Sequence, residues 1–172
     1  FYRKPGADGG YVLGLEAIFK KIEETIALGG TGILMQGGMH PDLKIDYYEN
    51  LLSSIRERYS IHLHCFSPPE IVVIAKLSEL TLRETICRLI RAGLDSIPGG
   101  GAEILTDRMR RDIGPGKCST DEWLEVMRVA HQEGLLTTAT MMIGGGETLE
   151  ERVEHLDRIR SLQDETGGFV AF

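Results

Sequence analysis

The sequence contains no apolar run that approaches the roughly 18 residues of a membrane-spanning helix, so we expect no membrane span. It also has no excess of basic side chains. Its 19 lysines and arginines stand against 26 aspartates and glutamates, which gives a net charge of −7. Since there is no basic stripe either, we expect no nucleic-acid partner.

Cysteine is scarce, with three residues at irregular spacing, Cys65, Cys87 and Cys118. An odd count argues against a disulfide framework and favours a reducing compartment, so we expect a cytoplasmic protein. The spacing fits no metal-binding motif, and we interpret all three cysteines as structural. The pattern G-x-G-x-x-G is also missing after the first predicted strand, which weakens a dinucleotide-binding interpretation.

What the sequence does have is a regular alternation of helix and strand signals. The predicted strands cover about residues 31–36, 60–66, 94–97, 135–143 and 169–172. Helical spacing of apolar residues separates them, and the pattern S/T-x-x-E marks three helix starts at Thr81–Glu84, Ser119–Glu122 and Thr148–Glu151. The repeated β–α order predicts an α/β fold with a parallel sheet of about five strands, and we prefer a section of a (β/α) TIM-type barrel over a doubly wound sheet.

Glycine and polar residues follow the predicted strands at the edge where ligands of such sheets bind. The first strand, an apolar run expected to be covered on both faces, ends in Gln36-Gly37-Gly38. Ser67 follows the second strand, and glycines recur in Pro98–Gly101 and Gly144–Gly146. Three glycine clusters at strand ends fit a long ligand that is contacted largely through the backbone.

Alternation places His62 and His64 on one face of the second strand, and Thr138, Thr140 and Met142 on one face of the fourth. The pattern H-x-H is compatible with a metal pair of a barrel hydrolase, with contact to a ligand or a proton, or with a structural role. The later strand ends, however, offer threonine, methionine and glycine rather than further metal ligands.

Two carboxylates lie close to the glycine clusters. We expect Glu103 in the first turn of a helix over about 102–112, where it either complements the helix dipole or accepts hydrogen bonds from an amine or a ribose. Glu147 follows three glycines, and we favour contact with a cofactor for it over a role at a helix N-terminus.

Several long motifs at these strand ends resemble the radical S-adenosylmethionine enzymes of the futalosine route to menaquinone. The motifs are Gln36–Leu43, His64–Glu70, Asp95–Ile104, Thr138–Met142 and Gln163–Phe169. Within that family, the sequences of Ser67–Glu70 and Thr137–Met142 are most similar to those of the cyclic dehypoxanthine futalosine synthases. Aminofutalosine synthase and the deazaflavin synthase subunit are sister enzymes that share most of these motifs.

The resemblance implies a barrel that holds a 4Fe-4S cluster on a C-x3-C-x2-C loop and binds S-adenosylmethionine at the open iron. Reductive cleavage then gives a 5′-deoxyadenosyl radical, and an electron donor such as flavodoxin or ferredoxin is implied. In the cyclase, the radical takes a hydrogen from the ribose of dehypoxanthine futalosine, and the sugar radical adds to the benzoate ring to give a cyclic spiro product.

The sequence departs from the family pattern because it contains no C-x3-C-x2-C. We therefore expect the cluster cysteines upstream of Phe1, and no cluster ligand within this chain. On this interpretation residues 1–172 are the central part of a single barrel domain, with the cluster loop and first strand upstream and the last strands downstream. Such a piece is expected to be inactive alone.

The resemblance also implies roles for individual residues. The backbone of Gln36, Gly37 and Gly38 stands where the family binds the methionine amine. The other implied cofactor contacts are Glu103, Thr140, Gly144 and Glu147, the implied substrate contacts are His62, His64, Ser67 and Thr138, and the implied catalytic residues are His64 and Glu103.

Three alternatives to the cyclase remain open at this point. The first is one of the sister radical enzymes. The second is a metal-dependent barrel hydrolase that uses His62 and His64. The third is a non-catalytic barrel piece or a split subunit that needs its cluster-bearing half.

Overall fold

The computed structural model describes Arg3 and residues 6–113 and 116–172. Phe1, beside which the cluster cysteines are expected, lies outside the described residues. The helices are α1 Leu15–Ala27, α2 Ile45–Arg58, α3 Pro68–Ser78, α4 Leu82–Ala92, α5 Asp107–Ile113, α6 Thr120–Gln132 and α7 Leu149–Thr166. The strands are β1 Gly32–Met35, β2 His62–Cys65, β3 Ser96–Ile97, β4 Leu136–Thr138 and β5 Phe169–Ala171.

All five strands form one parallel sheet, in the order β1-β2-β3-β4-β5. This order follows the chain without reversal. A doubly wound sheet would contain a point where the strand order reverses, whereas a (β/α) barrel adds each strand beside the previous one. The prediction of a partial barrel is therefore confirmed.

The helices cover one face of this sheet and leave the other open. Leu63, Cys65 and Ile97 point into a core built with α2, α3, α4 and α6, and each of them is fully buried. On the opposite face, Leu34 of β1 remains 66% exposed and Leu136 of β4 remains 52% exposed. The expectation that β1 is covered on both faces is wrong, because no described segment packs on the inner side of the sheet at Leu34.

The three predicted capping boxes are confirmed, since in each one the hydroxyl and the carboxylate bond reciprocally to the backbone. A fourth box, which the sequence interpretation missed, joins Ser67 and Glu70 at the start of α3. Each cap stabilises its helix by about 1 kcal/mol and fixes where the helix begins. The fourth box thereby fixes the position of Glu70 at the carboxyl end of β2.

Two predicted boundaries are wrong near the glycine clusters. The strand β4 ends at Thr138 rather than near residue 143, so Thr140 and Met142 lie beyond the ladder. The helix α5 begins at Asp107, so Glu103 precedes it and adopts a left-handed backbone with φ of 42°. The cause is shared: the Met142 N–H donates to the Glu103 carbonyl at 2.9 Å, which joins two irregular loops instead of extending a strand.

No helix within residues 6–113 and 116–172 is both long enough and apolar enough to cross a bilayer.

Candidate functional site

A buried carboxylate, Glu70, links the loop after β1 to the loop after β2. Its Oε1 accepts hydrogen bonds from the backbone N–H groups of Gly37 at 2.8 Å and Gly38 at 3.1 Å. Its Oε2 accepts from the Ser67 N–H at 2.8 Å and the Ser67 hydroxyl at 2.6 Å. Glu70 is only 6% exposed, so these four donors replace the water that a carboxylate would otherwise require.

Glu70 also fixes which way the glycine backbone points. In a trans peptide the carbonyl lies opposite the N–H, and no described peptide is cis. With the N–H groups of Gly37 and Gly38 held by Glu70, the carbonyls of Gln36 and Gly37 point away from it. The turn therefore offers two backbone acceptors, which suit a donor such as an ammonium group.

The space around this turn is open. A Cβ added to Gly37 or Gly38 would meet nothing within 4 Å, and Gly38 has a φ of 83°, which a residue with a side chain rarely adopts. A cavity of about 800 Å³ lies beside the turn, with Tyr11 of the N-terminal segment and Tyr47 of α2 among its other walls. This volume lies within the usual range for small-molecule sites.

At the second glycine cluster, Gly99–Gly101, other residues of the protein occupy the space where side chains would lie. An added Cβ would lie 2.5 Å from the Thr138 carbonyl oxygen at Gly99, against the Gln36 amide at Gly100, and 2.5 Å from the Pro69 ring at Gly101. These glycines let neighbouring strand ends pack closely. The packing of the strand ends thus accounts for this cluster without a ligand.

Thr138 and Thr140 both hold Gly99. The Gly99 N–H donates to the Thr138 hydroxyl oxygen at 3.0 Å, and the Thr140 hydroxyl donates to the Gly99 carbonyl at 2.7 Å. The Ser67 hydroxyl similarly donates a hydrogen bond to Glu70, and Ser67 is buried. The predicted contacts of these three residues with substrate or cofactor stay predictions, since each side chain has a partner within the protein.

Glu147 organises the third glycine cluster. Its carboxylate accepts hydrogen bonds from the N–H groups of Gly144 at 2.9 Å and Gly145 at 2.8 Å, and from Arg152 Nε at 2.9 Å. The backbone donors, with a further contribution from Arg152, lower the pKa of Glu147 to about 2. The structure thus places Glu147 as the residue that shapes its own loop, and its direct contact with a cofactor stays a prediction.

Glu103 lies apart from the Gln36–Gly38 turn. Its carboxylate forms an ion pair with Lys117, and the two residues line a small cavity of about 10 Å³ with Met109. Among the described residues, Glu103 has no hydrogen bond or ion pair to another predicted site residue. No hydrogen bond or ion pair joins Glu103 to His64 in the described part of the chain, and the catalytic roles of both residues stay predictions.

The alternation that predicted His62 and His64 on one face is confirmed. Both side chains lie on the open inner face of the sheet, and both contact the Ser96 hydroxyl, His62 Nε2 at 2.7 Å and His64 Nδ1 at 2.6 Å. Asp95 Oδ2 lies 3.8 Å from His62 Nδ1 and pairs with Arg56 of α2. Ser96 and Asp95 entered the sequence analysis only as part of a family motif.

The described residues offer neither a zinc site nor a ligand set for an iron–sulfur cluster. No three His, Cys, Asp or Glu side chains in this part of the chain come together as metal ligands. Burial raises the pKa of the Cys65 thiol to about 12 and also raises that of Cys118, which keeps both cysteines protonated. Because no three ligating side chains come together in this part of the chain, a 4Fe-4S cluster does not fit the described residues.

The residues around the Gln36–Gly38 turn do fit S-adenosylmethionine. The backbone there is bare, because a Cβ at Gly37 or Gly38 would meet nothing within 4 Å. The acceptors also suit the chemistry of the amino-acid end, since the carbonyls of Gln36 and Gly37 point away from Glu70 and can accept hydrogen bonds from an ammonium group.

Comparison with known proteins gives a consistent result. The family model described as the Radical SAM superfamily matches residues 1–159. The chain is 52% identical over 173 residues to a cyclic dehypoxanthine futalosine synthase of Halalkalibacterium halodurans, covering 100% of this chain and 47% of the relative. A protein of the same name from Streptomyces coelicolor is 43% identical, with 100% and 44% covered.

Relatives with a different name are almost as similar. A 5-amino-6-(D-ribitylamino)uracil–L-tyrosine 4-hydroxyphenyl transferase of Methanosarcina mazei is 44% identical over 166 residues, covering 96% of this chain and 44% of the relative. The chain thus spans about half the length of the curated relatives it matches. The family model covers most of the sequence, and the sheet order is that of a barrel. The chain belongs to the radical SAM superfamily, whose enzymes share a TIM-type barrel and use S-adenosylmethionine with a 4Fe-4S cluster.

Proposed function

We propose that residues 1–172 form the central part of a radical S-adenosylmethionine cyclase of menaquinone biosynthesis, which converts dehypoxanthine futalosine to its cyclic spiro product. The observation that carries this proposal is the bare Gln36–Gly38 turn held by Glu70 in a chain of this superfamily. The identity of 52% to a protein named for that reaction supports the choice of substrate.

In this proposal the carbonyls of Gln36 and Gly37 accept hydrogen bonds from the ammonium group of S-adenosylmethionine. Glu70 holds the two peptides in that orientation before the ligand arrives, which reduces the entropy lost on binding. When bound and reductively cleaved, S-adenosylmethionine supplies a 5′-deoxyadenosyl radical. The loop Gly144–Gly146, shaped by Glu147, and Thr140 are the proposed contacts for the nucleoside end.

The iron–sulfur cluster has no ligand set among the described residues, and we propose that its cysteines lie upstream of Phe1. A flavodoxin or ferredoxin is the proposed electron donor. The proposed substrate wall is the inner face of β2, where His64 is partly exposed and its Nε2 has no hydrogen-bond partner in the described part of the chain. This nitrogen is the proposed acceptor of a substrate proton.

The test is a substrate comparison with protein that carries this chain together with the proposed cluster segment. Under reducing conditions with S-adenosylmethionine, we expect dehypoxanthine futalosine to be consumed and its cyclic product to be detected by mass spectrometry. A parallel reaction with 5-amino-6-ribitylaminouracil and tyrosine tests the second candidate, which the relative at 44% identity favours. Turnover of that pair alone would contradict the cyclase proposal.

A further inference from the structure

We propose that His64, Ser96 and His62 form a proton relay, in which a proton accepted by His64 is passed through the Ser96 hydroxyl to His62. The relay rests on the proposed function in one respect, because the proton is taken to come from a bound substrate. The geometry of the relay is independent of that function, because contacts of 2.6 Å and 2.7 Å already join the three side chains.

The direction of the relay follows from Asp95. His62 Nδ1 lies 3.8 Å from the Asp95 carboxylate, which favours a proton on that nitrogen and leaves His62 Nε2 as an acceptor. The Ser96 hydroxyl then donates to His62 Nε2. Its oxygen accepts from His64 Nδ1–H, because a hydroxyl has one proton to give. This arrangement leaves His64 Nε2 unprotonated, as a base requires.

Proton transfer balances along this chain. A substrate proton binds His64 Nε2, the Nδ1 proton of His64 moves to the Ser96 oxygen, and the original Ser96 proton moves to His62 Nε2. Ser96 ends as a hydroxyl and His64 as a neutral imidazole that now carries its proton on Nε2. His62 becomes an imidazolium beside Asp95, and no electron is transferred.

The surroundings favour His62 as the site that keeps the proton. The His62 side chain is 53% exposed and faces a carboxylate, whereas His64 is more buried. Burial, with a smaller contribution from His62, lowers the pKa of His64. The charged groups next to the pair in the described part of the chain are Asp95, just before β3, and Arg56 of α2, which pairs with it.

The test is ¹⁵N NMR of histidine tautomers in the chain itself, with signals assigned from H62Q and H64Q. Above the titration range, we expect both histidines to carry their proton on Nδ1. Detection of His64 with its proton on Nε2 in the neutral pair would overturn the relay.

The decisive variant is S96A, with S96T as the matched control that keeps the hydroxyl. We expect S96A to shift the Nδ1 signal of His64 toward the unprotonated position, because its hydrogen-bond acceptor is lost, and S96T to restore the original signal. Identical tautomers in wild type and S96A would contradict the proposal. If S96A does not fold, the wild-type and S96T tautomers decide the question alone.

These measurements need neither S-adenosylmethionine nor substrate. A failed relay would therefore leave the proposed cyclase untouched, and a failed cyclase assay would leave the tautomer result standing.

Discussion

Replacing Glu70 by glutamine should both destabilise the chain and release the Gln36–Gly38 turn. Glutamine keeps the shape of glutamate but has only one acceptor oxygen. Its NH2 group, which is a donor, therefore faces two of the four donors that the carboxylate now satisfies. Leaving two buried donors unsatisfied costs roughly 2–6 kcal/mol, at about 1–3 kcal/mol for each donor. For a domain of this size, that corresponds to a fall in melting temperature of about 4–24 °C.

The matched control is E84Q. Glu84 forms the same type of capping box with Thr81, but it is exposed and contacts no glycine turn. Its replacement should cost no more than about 1 kcal/mol, the usual value of a cap. The difference between the two variants therefore measures the contacts of Glu70 with Gly37 and Gly38.

Two assays check this prediction. Chemical denaturation gives the free energies of unfolding, and amide hydrogen exchange reports on the N–H groups of Gly37 and Gly38, which should lose protection in E70Q alone. Binding of S-adenosylmethionine should weaken by about 10–100-fold, because misdirected carbonyls lose one or two charged hydrogen bonds. Equal stability of E70Q and E84Q, with unchanged exchange at both glycines, would refute the reasoning.

Three further predictions concern the glycine clusters and a buried histidine. G99A should destabilise the chain by several kcal/mol, because its Cβ would lie 2.5 Å from the Thr138 carbonyl oxygen. G37A should leave the melting temperature nearly unchanged, because a Cβ there would meet nothing within 4 Å. Similar melting temperatures for G99A and G37A would contradict the packing argument. The pKa of Glu147 lies at about 2, below the ordinary 4.5, so its contribution to stability should be present above pH 4.5 and be lost as the pH falls toward 2. The free energies of unfolding of wild type and E147Q should accordingly converge near pH 2. A constant difference between them across this pH range would contradict the prediction. His155 of α7 is buried, and its Nδ1 accepts a hydrogen bond from the Leu105 N–H at 3.0 Å. Burial lowers the pKa of His155 from 6.5 to about 4, so stability should be full above pH 6.5 and should fall between pH 6.5 and 4 as the unfolded chain takes up the proton; H155Q should show a weaker fall.

The sheet and its helices were predictable because local patterns specify them. Alternation placed His62 and His64 on one face, and the pattern S/T-x-x-E located the starts of α4, α6 and α7. These signals lie within a few residues of each other, so no knowledge of distant contacts is needed. The regular spacing of strands then led to the sequential strand order of a barrel.

The parts that could not be predicted depend on contacts between distant residues. Glu70 meets Gly37 from 33 positions away, and nothing in the pattern Ser67–Glu70 indicates that contact. The glycines at 99–101 suggested a ligand, but the structure shows that neighbouring strand ends require them. Glu103 was placed on a helix because a carboxylate after glycines is typical of a helix start, whereas its backbone is left-handed there.

The most direct test of the central claim is an NMR titration of residues 1–172 with S-adenosylmethionine, and separately with 5′-deoxyadenosine, which lacks the amino-acid end. We expect the amide signals of Gly37 and Gly38 to shift with S-adenosylmethionine and to stay in place with 5′-deoxyadenosine. Saturating S-adenosylmethionine without a shift at either glycine, or equal shifts with both ligands, would contradict the claim that this turn binds the amino-acid end.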